Sequence, residues 1–143
     1  MATPIRVLVV GCGHMGASHA AAYHESPDFE IVGLVSRGPA SRDALNARLK
    51  SNYPTFCDYA TALAETKPDA VCISTYPDTH APYARMALEA GAHVFLEKPV
   101  ATNLADATAL FDLARAKGLK IAVGYILQQH PAWVRFVEEA RKL

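Results

Sequence analysis

Short apolar runs alternate along the chain with longer segments in which apolar residues recur every three or four positions. The short runs, such as IRVLVV at 5–10, are rich in Val, Ile and Leu, which is typical of strands buried on both faces of a parallel sheet. The longer segments are typical of helices that cover such a sheet. Strands are predicted at 5–10, 29–36, 69–75, 93–98 and 120–126, with a possible short strand at 55–57.

Helices are predicted between these strands, at 14–25, 39–50, 58–65, 79–90 and 103–117, with a last one starting at His130 or Pro131. We expect Thr102 to cap the fifth helix and Pro82 to fall in the first turn of the fourth, where proline is tolerated. The side chains predicted to share one face are Met15, Ser18, His19 and Ala22 in the first helix, and Leu104, Ala107, Leu110, Phe111 and Ala114 in the fifth.

Strands that alternate with helix-length crossovers indicate an α/β fold with a doubly wound parallel sheet of about six strands and helices on both faces. A length of 143 residues suits one domain of ordinary size. In such folds ligands bind beyond the carboxyl ends of the strands, where the strand order reverses.

A glycine-rich loop, GCGHMG at 11–16, follows the first predicted strand and opens the first predicted helix. One interpretation is that Gly11, Gly13 and Gly16 cradle a phosphate, because their backbone N–H groups and the helix N-terminus can approach an anion closely. The alternative is a tight turn with no ligand. The strand–loop–helix context favours the cradle, as in a Rossmann dinucleotide-binding domain.

The second strand ends at Ser36, Arg37 and Gly38, where an NAD-binding version of this fold carries an acidic residue for the ribose hydroxyl. Ser36 can hydrogen-bond a 2′-phosphate, and Arg37 can pair with it or stack on adenine. Arg42 is a further candidate for the same contact. The sequence therefore favours NADP(H), with NAD(H) second, over the alternative that Arg37 is simply a solvated loop arginine.

Composition excludes several other classes of protein. Hydrophobic residues make up 51% of the chain, which supports a folded core, and the 14 basic and 14 acidic residues cancel. Such a chain has no general attraction for nucleic acid or anionic membrane. The three cysteines lack C-x-x-C spacing and His14, His19 and His24 lack a metal-ligand spacing, so we expect no disulfide framework and no metal. No signal peptide or membrane span is recognisable, and a cytoplasmic protein is predicted.

Four sequence pieces together resemble the Gfo/Idh/MocA oxidoreductases, the family of glucose–fructose oxidoreductase and inositol dehydrogenase. They are GCGHMG (11–16), SR (36–37), STYPDTHAPYARMALEAGAHVFLEKP (74–99) and AVGYILQQHPAW (122–133), in the family's order. The combination is far more specific than any one piece, and EKP preceded by AGAHVF is the most telling.

The resemblance implies a role for each matching position. It places Gly11, Gly13 and Gly16 around the pyrophosphate, Cys12, His14 and Met15 along the same loop, and Ser36 and Arg37 at the adenosine end. It places Ser74, Thr75, Tyr76 and Pro77 beneath the cofactor, His80 near the ribose, and Glu97, Lys98 and Pro99 in the catalytic motif. Lys98 would lie beside the nicotinamide and help carry the proton of a sugar or cyclitol hydroxyl, with Glu97 orienting it and a cis Lys98–Pro99 bond.

Two departures from the family qualify the expected activity. Gln128 stands where the family often has an arginine, and the second, substrate-binding domain of the family does not follow in this sequence. We expect residues 1–126 to form the dinucleotide-binding domain and 127–143 a helix that leads toward that second domain. The chain alone would bind cofactor and catalyse poorly, because nothing covers the nicotinamide.

Two other classes of function remain open at this stage. The chain could be a stand-alone nucleotide- or coenzyme A-binding or redox-sensing module, although such a module has no need of the EKP lysine. It could also be an interaction domain that has lost its ligand. Whatever the function, an apolar surface at Tyr125, Ile126 and Trp133, which the second domain of the family would cover, is expected to promote self-association.

Overall fold

A computed structural model describes residues 3–142 and contains one sheet of six parallel strands. The strands are β1 (Ile5–Val10), β2 (Phe29–Val35), β3 (Thr55–Phe56), β4 (Ala70–Ile73), β5 (His93–Leu96) and β6 (Ile121–Val123). The helices are α1 (His14–Glu25), α2 (Pro39–Leu49), α3 (Tyr59–Thr66), α4 (Pro77–Glu89), α5 (Leu104–Ala116) and α6 (Pro131–Ala140). A 3-10 turn, Ile126–Gln129, precedes α6.

The strand order is β3-β2-β1-β4-β5-β6, so the direction of winding reverses between β1 and β4. This is the order of dinucleotide-binding Rossmann sheets, and it confirms the doubly wound prediction. The reversal leaves the loops after β1 and β4 side by side at the carboxyl ends of the strands.

Both faces of the sheet are covered, which explains the continuous apolar runs of the central strands. Side chains of one face, with Leu8 and Val71 at its centre, pack against α3, α4 and α5. Side chains of the other face, with Val7 and Val9 at its centre, pack against α1 and α2. Alternate residues of β1 therefore enter two different cores, and none of Val7–Val10 is more than 1% exposed.

Several predicted boundaries were wrong by a few residues. Helix α4 begins at Pro77, so Pro82 lies beyond its first turn, inside the helix. Asn103, not Thr102, caps α5, because its side-chain oxygen accepts the Asp106 backbone N–H at 2.9 Å. Strand β6 ends at Val123, and the chain then enters the 3-10 turn. Asp58, the first residue of the predicted third helix, is the N-cap of α3, because its carboxylate accepts the Thr61 N–H at 2.7 Å.

The side chains that two helices bury differ in part from the apolar faces named in the sequence. Helix α1 buries Gly16, Ala17 and Ala20, and leaves Met15 39% exposed. Small residues face the sheet because α1 lies too close to it for a longer side chain. The Met15 side chain therefore lies on the exposed side of the helix although it is apolar. In α5, Leu110 and Ala114 are buried as predicted, whereas Leu104 and Phe111 are exposed.

Within residues 3–142, no helix combines the length and apolar character needed to cross a membrane.

Arg6 ties the first strand to the end of α3. Its guanidinium donates to the carbonyl oxygens of Thr66 and Lys67, both at 2.7 Å, and its backbone N–H donates to the Asp69 carboxylate at 2.9 Å. Carbonyl groups at a helix C-terminus lack helical partners, and a cation there is favourable.

We expect Arg6→Met to lower the free energy of unfolding by roughly 1–2 kcal/mol, because two charge-assisted hydrogen bonds are lost and the apolar stem is kept. Urea unfolding followed by circular dichroism measures the change. Arg115→Met is the control, since Arg115 pairs with the exposed Asp112 on the surface of α5. Equal unfolding midpoints for Arg6→Met and wild type would contradict the role of Arg6.

Candidate functional site

Four loops meet at the carboxyl ends of the central strands, and we call this surface the carboxyl edge. They are residues 11–13 after β1, 36–38 after β2, 74–76 after β4 and 97–99 after β5. The site residues predicted from the sequence lie in these loops or near the starts of α1 and α4, except for the further candidate Arg42, which lies in α2. The fold thus brings together residues that are up to 87 positions apart, from Gly11 to Lys98.

Two of the three loop glycines are required by the packing of the backbone. Gly11 has a φ of +97°, and a Cβ on it would lie 2.3 Å from the carbonyl oxygen of Ser74. A Cβ on Gly16 would lie 1.7 Å from the carbonyl oxygen of Gly11. These positions exclude any side chain whether or not a ligand binds.

Gly13 is different, because a Cβ there would meet no atom within 4 Å. It is the N-cap of α1, and no side chain caps that helix. The first N–H groups of α1 therefore lack a side-chain cap, and the positive end of the helix dipole lies beside open space at Gly13. Packing explains two of the glycines, and at the third it leaves space beside a helix N-terminus, a kind of position at which anions bind.

The second loop carries the side chains expected at the adenosine end. Ser36 accepts a 2.8 Å hydrogen bond from the Ser41 hydroxyl. Arg37 is exposed, and its guanidinium carbon lies 5.9 Å from the centre of the exposed Tyr76 ring. This cation–π contact links the loops after β2 and β4 across the glycine loop.

Arg42 lies beneath this loop rather than beside it. It is only 9% exposed, and its guanidinium donates to the carbonyl oxygen of Ser36. Its Nε has no hydrogen-bond partner among the described residues. The buried charge therefore supports the Ser36–Arg37 backbone from below.

Cys12 is buried in the glycine loop and hydrogen-bonds to the Val35 carbonyl oxygen at 3.5 Å. Burial raises the pKa of its thiol to about 11, although the nearby Arg42 charge works in the opposite direction. The thiol stays protonated at neutral pH and is a poor nucleophile. Its position in the loop suits a small side chain that fills space.

Around Lys98, the backbone is held and the side chain is exposed. The Glu97 carboxylate is buried, with Oε1 2.8 Å from His19 Nε2 and Oε2 accepting the Lys98 backbone N–H at 3.2 Å. A Cβ on Gly124 would lie 2.9 Å from Glu97 Oε1, so that glycine makes room for the carboxylate. The Lys98–Pro99 peptide bond is cis.

His80 lies under the loops and not on the surface. It is 1% exposed, with Nδ1 2.6 Å from the Pro99 carbonyl oxygen and Nε2 3.2 Å from that of Thr75. The Thr75 hydroxyl accepts from Thr79 at 2.7 Å. His14, Met15, Tyr76 and Pro77 are exposed, whereas Ser74 and Thr75 are partly buried.

Sequence reasoning did not assign His19 to the site. Its contact to Glu97 joins residues 78 positions apart, and no local pattern reports such a contact. The one available signal is a polar side chain on a helix that directly follows a glycine loop. Among residues 3–142, no group of three or more His, Cys, Asp or Glu side chains is placed to hold a metal ion.

Exposed apolar side chains extend beyond β6, where Tyr125, Ile126, Trp133 and Phe136 are between 47% and 62% exposed. None of the α6 residues is buried. The expected apolar surface is present, and self-association through it stays a prediction. A separate groove of about 700 Å³, between the C-terminal halves of α3 and α4, lies at the opposite edge of the sheet from the four loops.

The glycine geometry predicts different outcomes for two matched substitutions. Gly16→Ala must push the Gly11 carbonyl away, and we expect it to lower the free energy of unfolding by roughly 2 kcal/mol or more. Gly13→Ala meets no atom, so the loss should stay near the roughly 1 kcal/mol or less of a changed N-cap. Thermal unfolding of both variants measures the difference. Equal losses would show that the loop relaxes and that Gly16 is not fixed by packing.

Comparison with known proteins agrees with this geometry. Residues 5–125 match the family model described as "Oxidoreductase family, NAD-binding Rossmann fold". UDP-N-acetylglucosamine 3-dehydrogenase from Acidithiobacillus ferrooxidans is 32% identical over 136 residues, which cover 95% of this chain and 41% of that protein. The chain thus spans about two fifths of the length of this relative.

Solved structures show the same domain with either cofactor. An enzyme of gentamicin A biosynthesis in complex with NAD superimposes with a TM-score of 0.89 at 29% identity, covering 98% of this chain and 40% of that one. A 3-ketoreductase from Actinomadura kijaniata, in complex with NADP and TDP-benzene, has a TM-score of 0.86 at 28% identity, covering 98% and 43%.

Proposed function

Because the chain belongs to the Gfo/Idh/MocA oxidoreductase family, with its NAD-binding Rossmann fold, we propose that it is the cofactor-binding part of a sugar-type dehydrogenase or reductase. The observation that carries the proposal is the open space at Gly13 in front of the uncapped start of α1. The relatives named above act on nucleotide-linked sugars or contain NAD or NADP, which supports the same chemistry here.

The proposed cofactor position follows from the loops of the carboxyl edge. The pyrophosphate would lie over residues 11–16, against the first N–H groups of α1, with Cys12, His14 and Met15 along its path. The adenosine end would lie by Ser36 and Arg37, and the loop from Ser74 to Pro77 would run beneath the cofactor. His80 would act on that loop from below, since it is buried.

NADP(H) is the preferred cofactor in this proposal. Residues 36–38 offer a hydroxyl and a guanidinium but no carboxylate, which suits a 2′-phosphate better than a free 2′-hydroxyl. Arg42 adds a buried positive charge directly below Ser36, which also favours an anion there. A charge in the protein interior attracts a nearby anion more strongly than the same charge in water does, because the local dielectric constant is lower.

Lys98 is the proposed catalytic residue. A bound nicotinamide supplies the hydride acceptor or donor for the sugar hydroxyl or carbonyl. The exposed Lys98 amine would take the hydroxyl proton in oxidation and return it in reduction. Glu97 would not exchange a proton with substrate, because both of its oxygens are engaged and the side chain is buried.

The residues that cover the nicotinamide and bind the sugar are proposed to lie outside these 143 residues. Residues 1–126 would bind the cofactor, and 127–143 would lead toward a second domain. Without that cover, water is not excluded and the substrate is not oriented, so we expect this chain to bind cofactor and to turn over sugars very slowly.

Isothermal titration calorimetry of the 143-residue chain with NADPH, NADH and coenzyme A tests the proposal. We expect NADPH to bind more tightly than NADH. Arg37→Ala should weaken NADPH roughly tenfold, through loss of a charge-assisted contact, and leave NADH nearly unchanged. Arg115→Ala, an exposed arginine on α5, is the matched control and should change neither.

Other outcomes decide against parts of the proposal. An equal loss of affinity for NADPH and NADH in Arg37→Ala would contradict the 2′-phosphate assignment. Binding of coenzyme A without either dinucleotide would favour a stand-alone nucleotide-binding module. A folded chain that binds none of the three would overturn the cofactor site.

A further inference from the structure

The two residues that flank Lys98 are each tied to a histidine from a different helix. Before Lys98, the Glu97 carboxylate contacts His19 of α1 at 2.8 Å. After Lys98, the Pro99 carbonyl oxygen contacts His80 of α4 at 2.6 Å. Lys98 itself is exposed, so its backbone is fixed on both sides while its amine stays free.

Each histidine also belongs to, or contacts, an element next to the proposed cofactor. His19 lies in α1, the helix that starts at the glycine loop, and its ring packs on Phe95 of β5 at 4.7 Å between ring centres. His80 contacts the carbonyl oxygen of Thr75, in the loop after β4, at 3.2 Å. The contacts thus connect α1 and the 74–76 loop with the segment 97–99.

The nitrogen that each histidine uses can be read from the geometry. His19 meets Glu97 through Nε2. Both neighbours of His80 are carbonyl oxygens, which only accept, and a ring with one proton satisfies only one of them. The shorter contact is to Pro99, through Nδ1, so Nδ1–H is the donor in that form.

Burial makes these bonds important for the segment. The side chains of Glu97 and His19 are 8% and 17% exposed, and His80 is 1% exposed as a residue. A buried carboxylate or carbonyl that loses its donor cannot turn to water without moving the backbone. Since Glu97 also accepts the Lys98 N–H, any movement of its carboxylate is passed directly to Lys98.

We propose that His19 and His80 are positioning residues for Lys98: they hold residues 97–99 in register with α1 and with the 74–76 loop. The part that Lys98 plays in this inference rests on the proposed function, whereas the tethering of its backbone does not. Neither histidine touches substrate, and both act through Glu97 or Pro99.

A crossed pair of substitutions tests the inference, because Gln places an N–H near the position of Nε2 and Asn places one near Nδ1. At position 19, His19→Gln should keep the bond to Glu97 and His19→Asn should lose it. At position 80 the order reverses: His80→Asn should keep the bond to Pro99 and His80→Gln should lose it. All four variants are polar and smaller than or similar to histidine, so none overpacks the site.

The readout is hydrogen exchange of the Lys98 backbone amide, measured by NMR on the cofactor-free chain. We expect exchange to rise roughly tenfold or more in His19→Asn and His80→Gln, as for a lost bond to a charged or buried partner. His19→Gln and His80→Asn should remain close to wild type. His24→Asn and His24→Gln, on the same helix as His19 but bonded to Tyr53, are the controls and should leave Lys98 unchanged.

The inference is wrong if Asn and Gln have the same effect on Lys98 exchange at each position. It is also wrong if the backbone amides of Val71 and Cys72, in the centre of the sheet, exchange faster by the same factor as that of Lys98. The latter would indicate a general loss of stability. Calorimetry on the same samples separates this result from the proposed function. If the variants show the crossed pattern but the chain does not bind NADPH, the positioning role of the histidines stands and the proposed cofactor site is wrong. If the chain binds NADPH but the variants do not show the pattern, only the positioning role is wrong.

Discussion

The close approach of two backbone segments at the reversal of the strand order shapes the whole site. Gly11 passes so near to the Ser74 carbonyl, and Gly16 so near to the Gly11 carbonyl, that neither position has room for a Cβ. This contact sets α1 close against the sheet, which is why the helix turns small residues inward. It also sets where α1 begins, and so the position of the open space at Gly13.

The same approach determines which residues can be neighbours along the carboxyl edge. With α1 held close to the sheet, His19 reaches Glu97 at the end of β5, and the loop after β4 lies over His80. The polar and charged groups then divide into two kinds. Arg42, Glu97 and the two histidines are buried or partly buried and hold backbone, whereas Arg37 and Lys98 are exposed and available to a ligand. Buried polar groups that hold the backbone beneath exposed charged side chains are what a preorganised site requires.

The sheet was predictable because Val- and Ile-rich runs separated by helix-length segments favour a parallel sheet covered on both faces. The role of the glycine loop was predictable from its place between the first strand and the first helix. The helix faces were less predictable. Met15 is the large apolar residue of α1 and stays exposed, because distance to the sheet and not hydrophobicity selected the small side chains. The tethers of Lys98 could not be read from sequence at all, since His19–Glu97 and His80–Pro99 join residues 78 and 19 positions apart.

The central claim is that the carboxyl edge, and no other surface of the chain, binds a nicotinamide dinucleotide. The most direct measurement is an NMR titration of the ¹⁵N-labelled chain with NADPH. The account predicts shifts in the amides of residues 11–16, 36–37, 74–76 and 97–98, with Leu63, Lys67 and Met86 in the α3–α4 groove unchanged. Shifts centred on that groove, or none at saturating NADPH, would contradict it.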